Sequence, residues 1–258
     1  LGAVVEPVAH ERVAPFGQCD LGERTRSPLG RLADEGVVHL DDVAEEIHRG
    51  GGRGLALRCD VTQRQEVEGL KAEIERHFGT VQILVNNAGL APAAPFLDME
   101  DRLWEEVFKV NLTGTYYCCK VFLPGMIASG WGRIINIAST VAKVGYSHVS
   151  AYTASKHAVL GLTRVLAIEM ARKSVTVNAI CPGFVDTQMI EDGRGEFARF
   201  AGNGRDEDAT LEMFRENIPM KRFLDPGEVA AMAVYLASED ARGVTGQAFT
   251  ISCGAVQA

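Results

Sequence analysis

The chain has 258 residues, of which 47% are hydrophobic and 23% are charged, and these proportions are those of an ordinary globular protein. Its net charge of −8 argues against nucleic acid or an anionic membrane as the main partner, and no apolar run approaches the roughly 18 residues of a membrane span. The length is enough for one large α/β domain with a substantial core, or for two small ones.

The cysteines indicate a reducing compartment and give no metal site. They show neither CxxC nor Cys/His spacing, and several lie in apolar segments, so we predict small buried hydrophobic residues and no metal. The start of the chain lacks the basic-then-apolar pattern of a signal peptide. We therefore expect a cytoplasmic protein. The six residues are Cys19, Cys59, Cys118, Cys119, Cys181 and Cys253.

From about residue 54 onward, short apolar strands alternate with helical patterns. The first helix of this region is expected to have Thr62 as its N-cap, Gln65 at the capping-box position and Gly79 at its end. Longer helices are predicted over 99–130 and 151–172. The predicted strands cover 54–59, 81–85, 133–138, 174–180 and 248–252.

A last helix is predicted to begin after Asp225, with this residue as its cap and Pro226 at its first position, and to end near Ser238. The alternation of short apolar strands and helices predicts an α/β fold with a parallel, doubly wound sheet. The chain contains no internal repeat and no linker. We therefore predict that residues 1–258 form a single domain.

Polar residues and glycines follow four of the predicted strands. Asp60 follows the first, Asn86 to Gly89 the second, Ser139 the third, and Pro182 with Gly183 the fourth. In an open parallel sheet, ligands bind in the crevice at the carboxyl ends of the strands. The sequence therefore predicts a ligand cleft along this edge.

Three side chains in this region suit proton transfer. Tyr152 lies four residues before Lys156 on a predicted helix, so both side chains share one face. We expect the ammonium to stabilise a phenolate and to lower the tyrosine pKa from its reference value of about 10. Ser139 adds a hydroxyl from the end of the preceding strand. Such a set can move a proton at a carbonyl or alcohol oxygen.

Each of these features has an ordinary interpretation when it is taken alone. The tyrosine–lysine spacing arises by chance, a serine at a strand end is commonly a turn residue, and Asn111 in mid-helix is commonly a surface position or a local kink. The features occur together, in order, at strand ends or on the adjoining helices. This coincidence favours a functional site.

Residues 54–254 resemble the short-chain dehydrogenase/reductase family in its single-domain form. The resemblance rests on the motifs CDVT, NNAG, KVNLTG, NIAS, YTASK, NAICPGFVDT and TGQAFTISCG. It implies a Rossmann-type fold, a nicotinamide cofactor, NAD or NADP, and reversible hydride transfer to a ketone. The stretch around the YTASK motif is similar both to 3-oxoacyl and polyketide ketoreductases and to cyclic-alcohol dehydrogenases.

The resemblance also assigns roles by position. Tyr152 would be the general acid or base, Ser139 would hold the substrate oxygen, and Asn111 would anchor a water in the proton relay. Lys156 would lower the tyrosine pKa and bind the nicotinamide ribose. The remaining cofactor contacts would come from residues at strand ends, namely Asp60, Val61, Asn87, Ala88, Gly89, Pro182, Gly183, Val185 and Thr187.

The first fifty residues depart from the family pattern, which requires a strand and then Thr-Gly-x-x-x-Gly-x-Gly at the start of a helix. Gly17 and Gly22 do not fit that spacing, and glycines 50–52 lie where the family has a connection far from the phosphates. A truncated or out-of-frame reading of the gene would produce such a segment, and this hypothesis predicts irregular packing of residues 1–30. The alternative is a working phosphate site. Asp41, at the position of the family's cofactor-selecting acid, favours NAD.

The segment 187–222 is predicted to be a loop-rich excursion that closes over substrate, and its aromatic residues would form an apolar lid. A surface helix pair packed on the sheet is an equally good interpretation. The expected pocket is apolar and uncharged, which favours a ketone or secondary alcohol over a clamped carboxylate. The lid residues would be Phe197, Phe200, Met213 and Phe214, and the pocket residues Val141, Val144, Tyr146, His148, Phe184 and Met189.

Two functional classes follow from these observations. The first is an active NAD(P)-dependent oxidoreductase of a ketone and secondary alcohol. The second is a non-catalytic family member with impaired cofactor binding that serves as a binding or scaffold subunit. In either case the helices at 99–128 and 151–172 are surfaces that the family uses for assembly, so the resemblance implies a homotetramer.

Overall fold

The computed structural model of the protein describes residues 40–201 and 206–257, with the backbone alone at residues 40–42 and 201. Within these residues, four parallel strands form one sheet in the order β1-β2-β3-β4. The strands are β1 (Ile83–Asn86), β2 (Gly132–Ile137), β3 (Val175–Pro182) and β4 (Ala248–Ile251).

Nine α-helices lie in the described part of the chain. They are α1 (Leu40–Arg49), α2 (Arg64–Phe78), α3 (Asp101–Phe108), α4 (Thr115–Ser129), α5 (Ser150–Met170), α6 (Gln188–Asp192), α7 (Arg194–Ala201), α8 (Glu207–Asn217) and α9 (Pro226–Ala237). A π-helical segment (Lys109–Gly114) joins α3 to α4 without a break.

Both faces of the sheet are covered by helices. Neighbouring residues of β2 point to opposite faces, and Ile134 and Ile135 are 0% and 1% exposed. Ile134 packs with apolar residues of α2, α4 and α5, whereas Ile135 packs with residues of α9. Such two-sided burial explains why the strands are largely apolar, and it is the predicted doubly wound arrangement.

Most of the predicted elements are present. The helix predicted over 99–130 is found as α3, the π segment and α4, and it ends at Gly130 in the left-handed conformation. The helix predicted after Asp225 is found as α9. Asp225 and Glu228 form a reciprocal capping box there, with Pro226 in the first turn.

Two local predictions are wrong. Residues 54–59 form no strand with other described residues, and only Arg58 occupies a bridge position. Helix α2 is not capped by Thr62 and Gln65, because it begins at Arg64 after Gln63. Instead, Asp60 Oδ1 accepts a hydrogen bond from the Thr62 backbone.

Some of the predictions fall outside the described residues. Residues 1–30, with Gly17, Gly22 and Cys19, belong to this group, and so does the side chain of Asp41, whose backbone lies in the first turn of α1. Glycines 50–52 end α1 through backbone hydrogen bonds to its last turn, as a connection would. The five described cysteines are buried and free, as predicted. None of the described helices is long and apolar enough to cross a membrane.

Candidate active site

Ser139 is held at the carboxyl end of β2. It lies two residues beyond the strand and caps a short 3₁₀ helix (Thr140–Ala142), with its Oγ accepting a hydrogen bond of 3.3 Å from the Val141 backbone. Only 8% of the residue is exposed. The hydroxyl proton remains available for a second partner, and Tyr152 is that partner.

Lys156 lies on the face of α5 that meets this strand end. It is 4% exposed, and its Nζ donates a 2.7 Å hydrogen bond to the carbonyl oxygen of Ile137, the last residue of β2. The Nζ lies 5.7 Å from the centre of the Tyr152 ring. Burial disfavours the charged ammonium and lowers the pKa of Lys156 to about 8.

The pKa of Tyr152 is raised, not lowered as the sequence predicted. Burial of the phenol is the largest cause, and it outweighs the hydrogen bond from the Ser139 hydroxyl, which acts in the opposite direction. The Lys156 ammonium is directed to a backbone carbonyl, so it does not reverse this effect. At neutral pH the phenol is therefore protonated and able to donate a proton.

Asn111 lies in the π-helical segment and is 1% exposed. Its side-chain Oδ1 accepts a 2.8 Å hydrogen bond from the Leu90 backbone N–H, and its Nδ2 donates to the Leu90 carbonyl at 2.9 Å. The Nδ2 also donates to the hydroxyl of Ser155 at 2.9 Å, and that hydroxyl donates to the Tyr152 carbonyl. Asn111 thus connects the loop after β1 to the helix that carries Tyr152 and Lys156.

The turn of Asn87, Ala88 and Gly89 follows β1 and approaches the same place. A Cβ atom at Gly89 would lie 3.4 Å from both Asn111 Oδ1 and Lys156 Nζ. The backbone of this turn therefore runs beside two of the predicted catalytic residues. A bulkier residue would fill the space in which a bound molecule could contact them.

A buried hydrogen-bond chain below the site was not predicted from the sequence. Asn86 Nδ2 donates to Asn136 Oδ1 at 2.8 Å, and Asn136 Nδ2 donates to Thr163 Oγ1 at the same distance. The two asparagines are paired in the register of β1 and β2. The signal that could have found them is an asparagine near the end of two successive apolar strands.

Asp60 and Val61 lie at the edge of the site. The backbone N–H of Asp60 donates to the Glu66 carboxylate at 2.8 Å, which fixes the start of the connection to α2. Val61 is 6% exposed and its side chain packs against Gly114 in the core. Asp60 is half-buried and so remains accessible for a ligand contact.

The residues after β3 form the other wall. Gly183 donates its N–H to the Ile251 carbonyl at 2.8 Å, and a Cβ there would lie 3.2 Å from Ser252, so this close approach leaves little room for a side chain. Val185 forms a parallel bridge with Leu224. Thr187 precedes α6 and its Oγ1 contacts the Val185 carbonyl at 3.3 Å. Together with Pro182 they lie at the carboxyl end of β3.

The predicted lid segment forms α6, α7 and α8, and its aromatic residues divide into two groups. Phe197 and Phe214 pack with Phe184 at ring-centre distances of 6.4 and 5.4 Å, inside an apolar cluster. Phe200 instead stacks on His148. The expected loop-rich character of the segment is wrong, because most of it is helical, and Phe197 and Phe214 hold these helices to their base.

A family model described as enoyl-(acyl carrier protein) reductase matches residues 32–256, which is more than half of the chain. The chain belongs to the short-chain dehydrogenase/reductase family. Membership makes it an NAD(P)-dependent oxidoreductase of a ketone and secondary-alcohol pair. The predicted non-catalytic alternative finds no support in these comparisons.

Relatives in this family share most of their length with the chain. A Streptomyces violaceoruber protein named as a ketoacyl reductase of granaticin polyketide synthase is 42% identical over 198 residues, 76% of this chain and 72% of its own. The D-beta-hydroxybutyrate dehydrogenase of Cupriavidus necator is 39% identical over 206 residues, 79% of this chain and 80% of its own. A variant of actinorhodin polyketide ketoreductase, solved with NADPH, has a TM-score of 0.80 at 37% identity and covers 84% of this chain and 83% of its own. This likeness confirms the predicted Rossmann-type fold.

Proposed function

We propose that this chain reduces a ketone with apolar substituents to a secondary alcohol, with NADH or NADPH as the reductant. The observation that carries the proposal is the convergence of Ser139, Tyr152, Lys156 and Asn111 at the carboxyl ends of β1 and β2. The raised pKa of Tyr152 supports the reductive direction, because a ketone reductase needs a protonated donor at neutral pH.

In this mechanism, the substrate oxygen replaces Tyr152 as the acceptor of the Ser139 hydroxyl proton, and the Tyr152 phenol donates to the same oxygen. A bound nicotinamide supplies the hydride for the carbonyl carbon. As negative charge grows on the oxygen, the Tyr152 phenol gives up its proton to it and Ser139 donates a hydrogen bond. The ammonium of Lys156 then stabilises the phenolate that Tyr152 becomes, because an opposite charge nearby favours the ionised form.

Residues of three strand ends fit the nicotinamide cofactor. The close approaches at Gly89 and Gly183 leave backbone exposed where a side chain would intrude, and Lys156 lies beside the first of them. We assign the adenine edge to Asp60 and Val61, the adenosine ribose to the 87–89 turn, and the nicotinamide ribose to Lys156 and Tyr152. The nicotinamide and its carboxamide are assigned to Pro182, Gly183, Val185 and Thr187.

Two observations bear on the choice between NAD and NADP, and they favour different cofactors. Asp41 at the start of α1 favours NAD, because a carboxylate repels the 2′-phosphate of NADP. The neighbouring actinorhodin ketoreductase was solved with NADPH, which supports use of the phosphorylated cofactor. We retain the preference for NAD as a proposal, and the ratio of kcat/KM with NADH to that with NADPH tests it.

The substrate class is proposed to be a 3-oxoacyl or cyclic ketone. The names of the relatives support it, since two of them refer to ketoacyl reductase and β-hydroxybutyrate dehydrogenase.

We further propose that the chain is one domain, that residues 187–222 cover the substrate, that the protein is cytoplasmic, and that it is a homotetramer. The buried free cysteines support a reducing compartment.

The test is NAD(P)H oxidation that depends on an added 3-oxo ester, followed at 340 nm with the wild type and with Tyr152→Phe. We expect the variant to lose about 10²–10⁴-fold in kcat, because it cannot donate the proton. Its affinity for the cofactor should be little changed. Equal activity of the two proteins would contradict the role of Tyr152, and no ketone-dependent oxidation by the wild type would contradict the proposed function.

A further inference from the structure

Helix α7 contacts the loops on both sides of the end of β2, near which the candidate catalytic residues lie. The segment that contains it leaves the sheet from the end of β3, yet α7 contacts the loop after β1. Because β2 lies between β1 and β3 in the sheet, this contact joins segments that leave the strands on either side of β2. Ser139 follows that strand end directly.

Two contacts fasten α7 to the loops on either side of the site. The Glu196 carboxylate accepts a 3.0 Å hydrogen bond from the backbone N–H of Ala93, which lies in the loop after β1. The Phe200 ring, one turn further along α7, stacks on the His148 ring with centres 4.7 Å apart and planes 13° apart. His148 lies four residues before Tyr152.

The position of His148 is itself held by the structure. Its φ angle is 67°, a left-handed value that is uncommon for non-glycine residues, although histidine and asparagine adopt it more often than most. The carbonyl of His148 accepts a 2.7 Å hydrogen bond from the Ala94 backbone, which is adjacent to the Glu196 contact. The two loops and α7 therefore form one connected rim above Tyr152.

The ring pair closes the space between α7 and the loop before α5. Parallel rings at 4.7 Å are in direct contact, so no substrate group can pass between them while they are stacked. A group attached to the substrate carbonyl must fit beneath this pair or displace it. The other aromatic residues of the segment, Phe197 and Phe214, lie in the cluster around Phe184 and cannot serve this purpose.

We propose that the His148–Phe200 ring pair limits the size of the ketone substituent that the enzyme accepts. The hydrogen bond between Glu196 and Ala93 holds α7, and with it Phe200, in place for this purpose. This inference rests on the proposed ketone reduction and adds the residues that determine its selectivity. His148 and Phe200 touch the substrate at the rim, whereas Glu196 acts as a positioning residue through α7.

The experiment compares kcat/KM for ethyl benzoylacetate, which has a phenyl ketone, with that for ethyl acetoacetate, which has a methyl ketone. His148→Asn removes the ring stack and keeps a residue that tolerates the left-handed backbone. Phe200→Leu removes the ring and keeps apolar contact. We expect each variant to raise the phenyl-to-methyl ratio by about tenfold, the usual effect of a few carbon atoms in an apolar pocket.

Matched variants at Glu196 distinguish loss of the hydrogen bond to Ala93 from a general loosening of α7. Glu196→Ala removes the acceptor for Ala93 and should raise the ratio, whereas Glu196→Gln keeps an oxygen acceptor and should leave it near the wild-type value. Tyr235→Ala removes a part-exposed aromatic residue from α9 and should not change the ratio. Melting temperatures of all variants confirm that folded proteins are compared.

The outcomes of this experiment distinguish the two proposals. Activity with both esters and a ratio within twofold of the wild type in His148→Asn and Phe200→Leu would overturn the assigned rim and leave the ketone reductase standing. A ratio that rises equally in Glu196→Gln and Glu196→Ala would overturn the role of the Ala93 hydrogen bond. No reduction of either ester by the wild type would overturn both proposals.

Discussion

At the scale of single residues, the site combines a buried cation with a half-buried tyrosine. Lys156 has no carboxylate partner in the hydrogen bonds of the described residues, and its ammonium is satisfied by a backbone carbonyl. Lowering its pKa from 10.5 to about 8 corresponds to about 3 kcal/mol against the charged form. The proposed function gives this cost a reason, because the charge would stabilise the Tyr152 phenolate.

The pKa of Lys156 predicts the pH dependence of ketone reduction. Below about pH 8 the ammonium is charged and can stabilise the Tyr152 phenolate, so kcat/KM should be constant there. Above that pH the ammonium loses its proton and kcat/KM should fall. A pH–rate profile at saturating cofactor measures this, and a profile that stays flat to pH 10 would contradict the role of the charge.

The lowered pKa of Lys156 also predicts how the stability of the protein depends on pH. Between about pH 8 and 10.5 the unfolded chain binds a proton at Lys156 that the folded chain does not, so this residue makes the free energy of unfolding rise with pH. Lys156→Met removes the buried charge. We expect it to abolish reduction while leaving the melting temperature at pH 7 equal to that of the wild type or higher, as measured by calorimetry.

Residue types and spacing in the sequence predicted that the four candidate catalytic residues come together, but not their surroundings. Ser139, Tyr152, Lys156 and Asn111 stand out because each lies at a strand end or on an adjoining helix. The Asn136–Thr163 contact depends on the register of strands and on helix packing, which a single sequence does not reveal. The predicted direction of the Tyr152 pKa shift was wrong for the same reason, because burial depends on packing.

At the scale of secondary structure, the π-helical segment brings Asn111 to the site. An extra residue in the helical turn shifts the side chains that follow it, and such segments are common at functional sites. Gly114 ends the segment where the helix passes closest to Val61. A Cβ at Gly114 would lie 2.7 Å from Val61 Cγ2, which is closer than real Cβ contacts.

Gly114→Ala therefore tests how tightly this segment is packed. We expect a loss of about 1–3 kcal/mol in the free energy of unfolding in urea, because the core has no space for the methyl group. Gly69→Ala is the matched control: it lies in the exposed interior of α2 with nothing within 4 Å and should gain about 0.5–1 kcal/mol. Equal effects of the two substitutions would contradict the close packing.

The spacing of apolar residues predicted which segments are helices and which are strands, but it did not predict the local irregularities. The capping box of α9 and the end at Gly130 follow from local residue types. The π segment depends on how α3 and α4 pack, and the periodicity of 99–130 predicted only one helix. Residues 54–59 have the composition of a strand, but a strand also requires a hydrogen-bonded neighbour, and the described residues provide none.

At the scale of the whole molecule, apolar side chains remain exposed on the helices that the family uses for assembly. Ile168 and Val165 on α5 are 79% and 53% exposed, and Tyr116 on α4 and Trp104 on α3 are 40% and 36% exposed. Exposed apolar side chains that cluster on one surface mark sites of association. They support the proposed homotetramer.

Ile168→Glu places a charge on this surface and should lower the molar mass in solution from four chains to two or one. Size-exclusion chromatography with light scattering measures the change. Leu97→Glu is the control, because Leu97 is 93% exposed in the loop before α3 and its replacement should leave the assembly intact. A wild-type protein that elutes as a monomer would refute the tetramer.

The central claim is that this protein passes a hydride to a ketone while Tyr152 supplies the proton. The most direct measurement is mass spectrometry of the alcohol formed from ethyl acetoacetate and a reduced nicotinamide cofactor that carries two deuterium atoms at C4, with wild type and Tyr152→Phe. We predict one deuterium on the carbinol carbon with the wild type and almost no product with the variant. Alcohol without deuterium, or equal product from both proteins, would contradict the account.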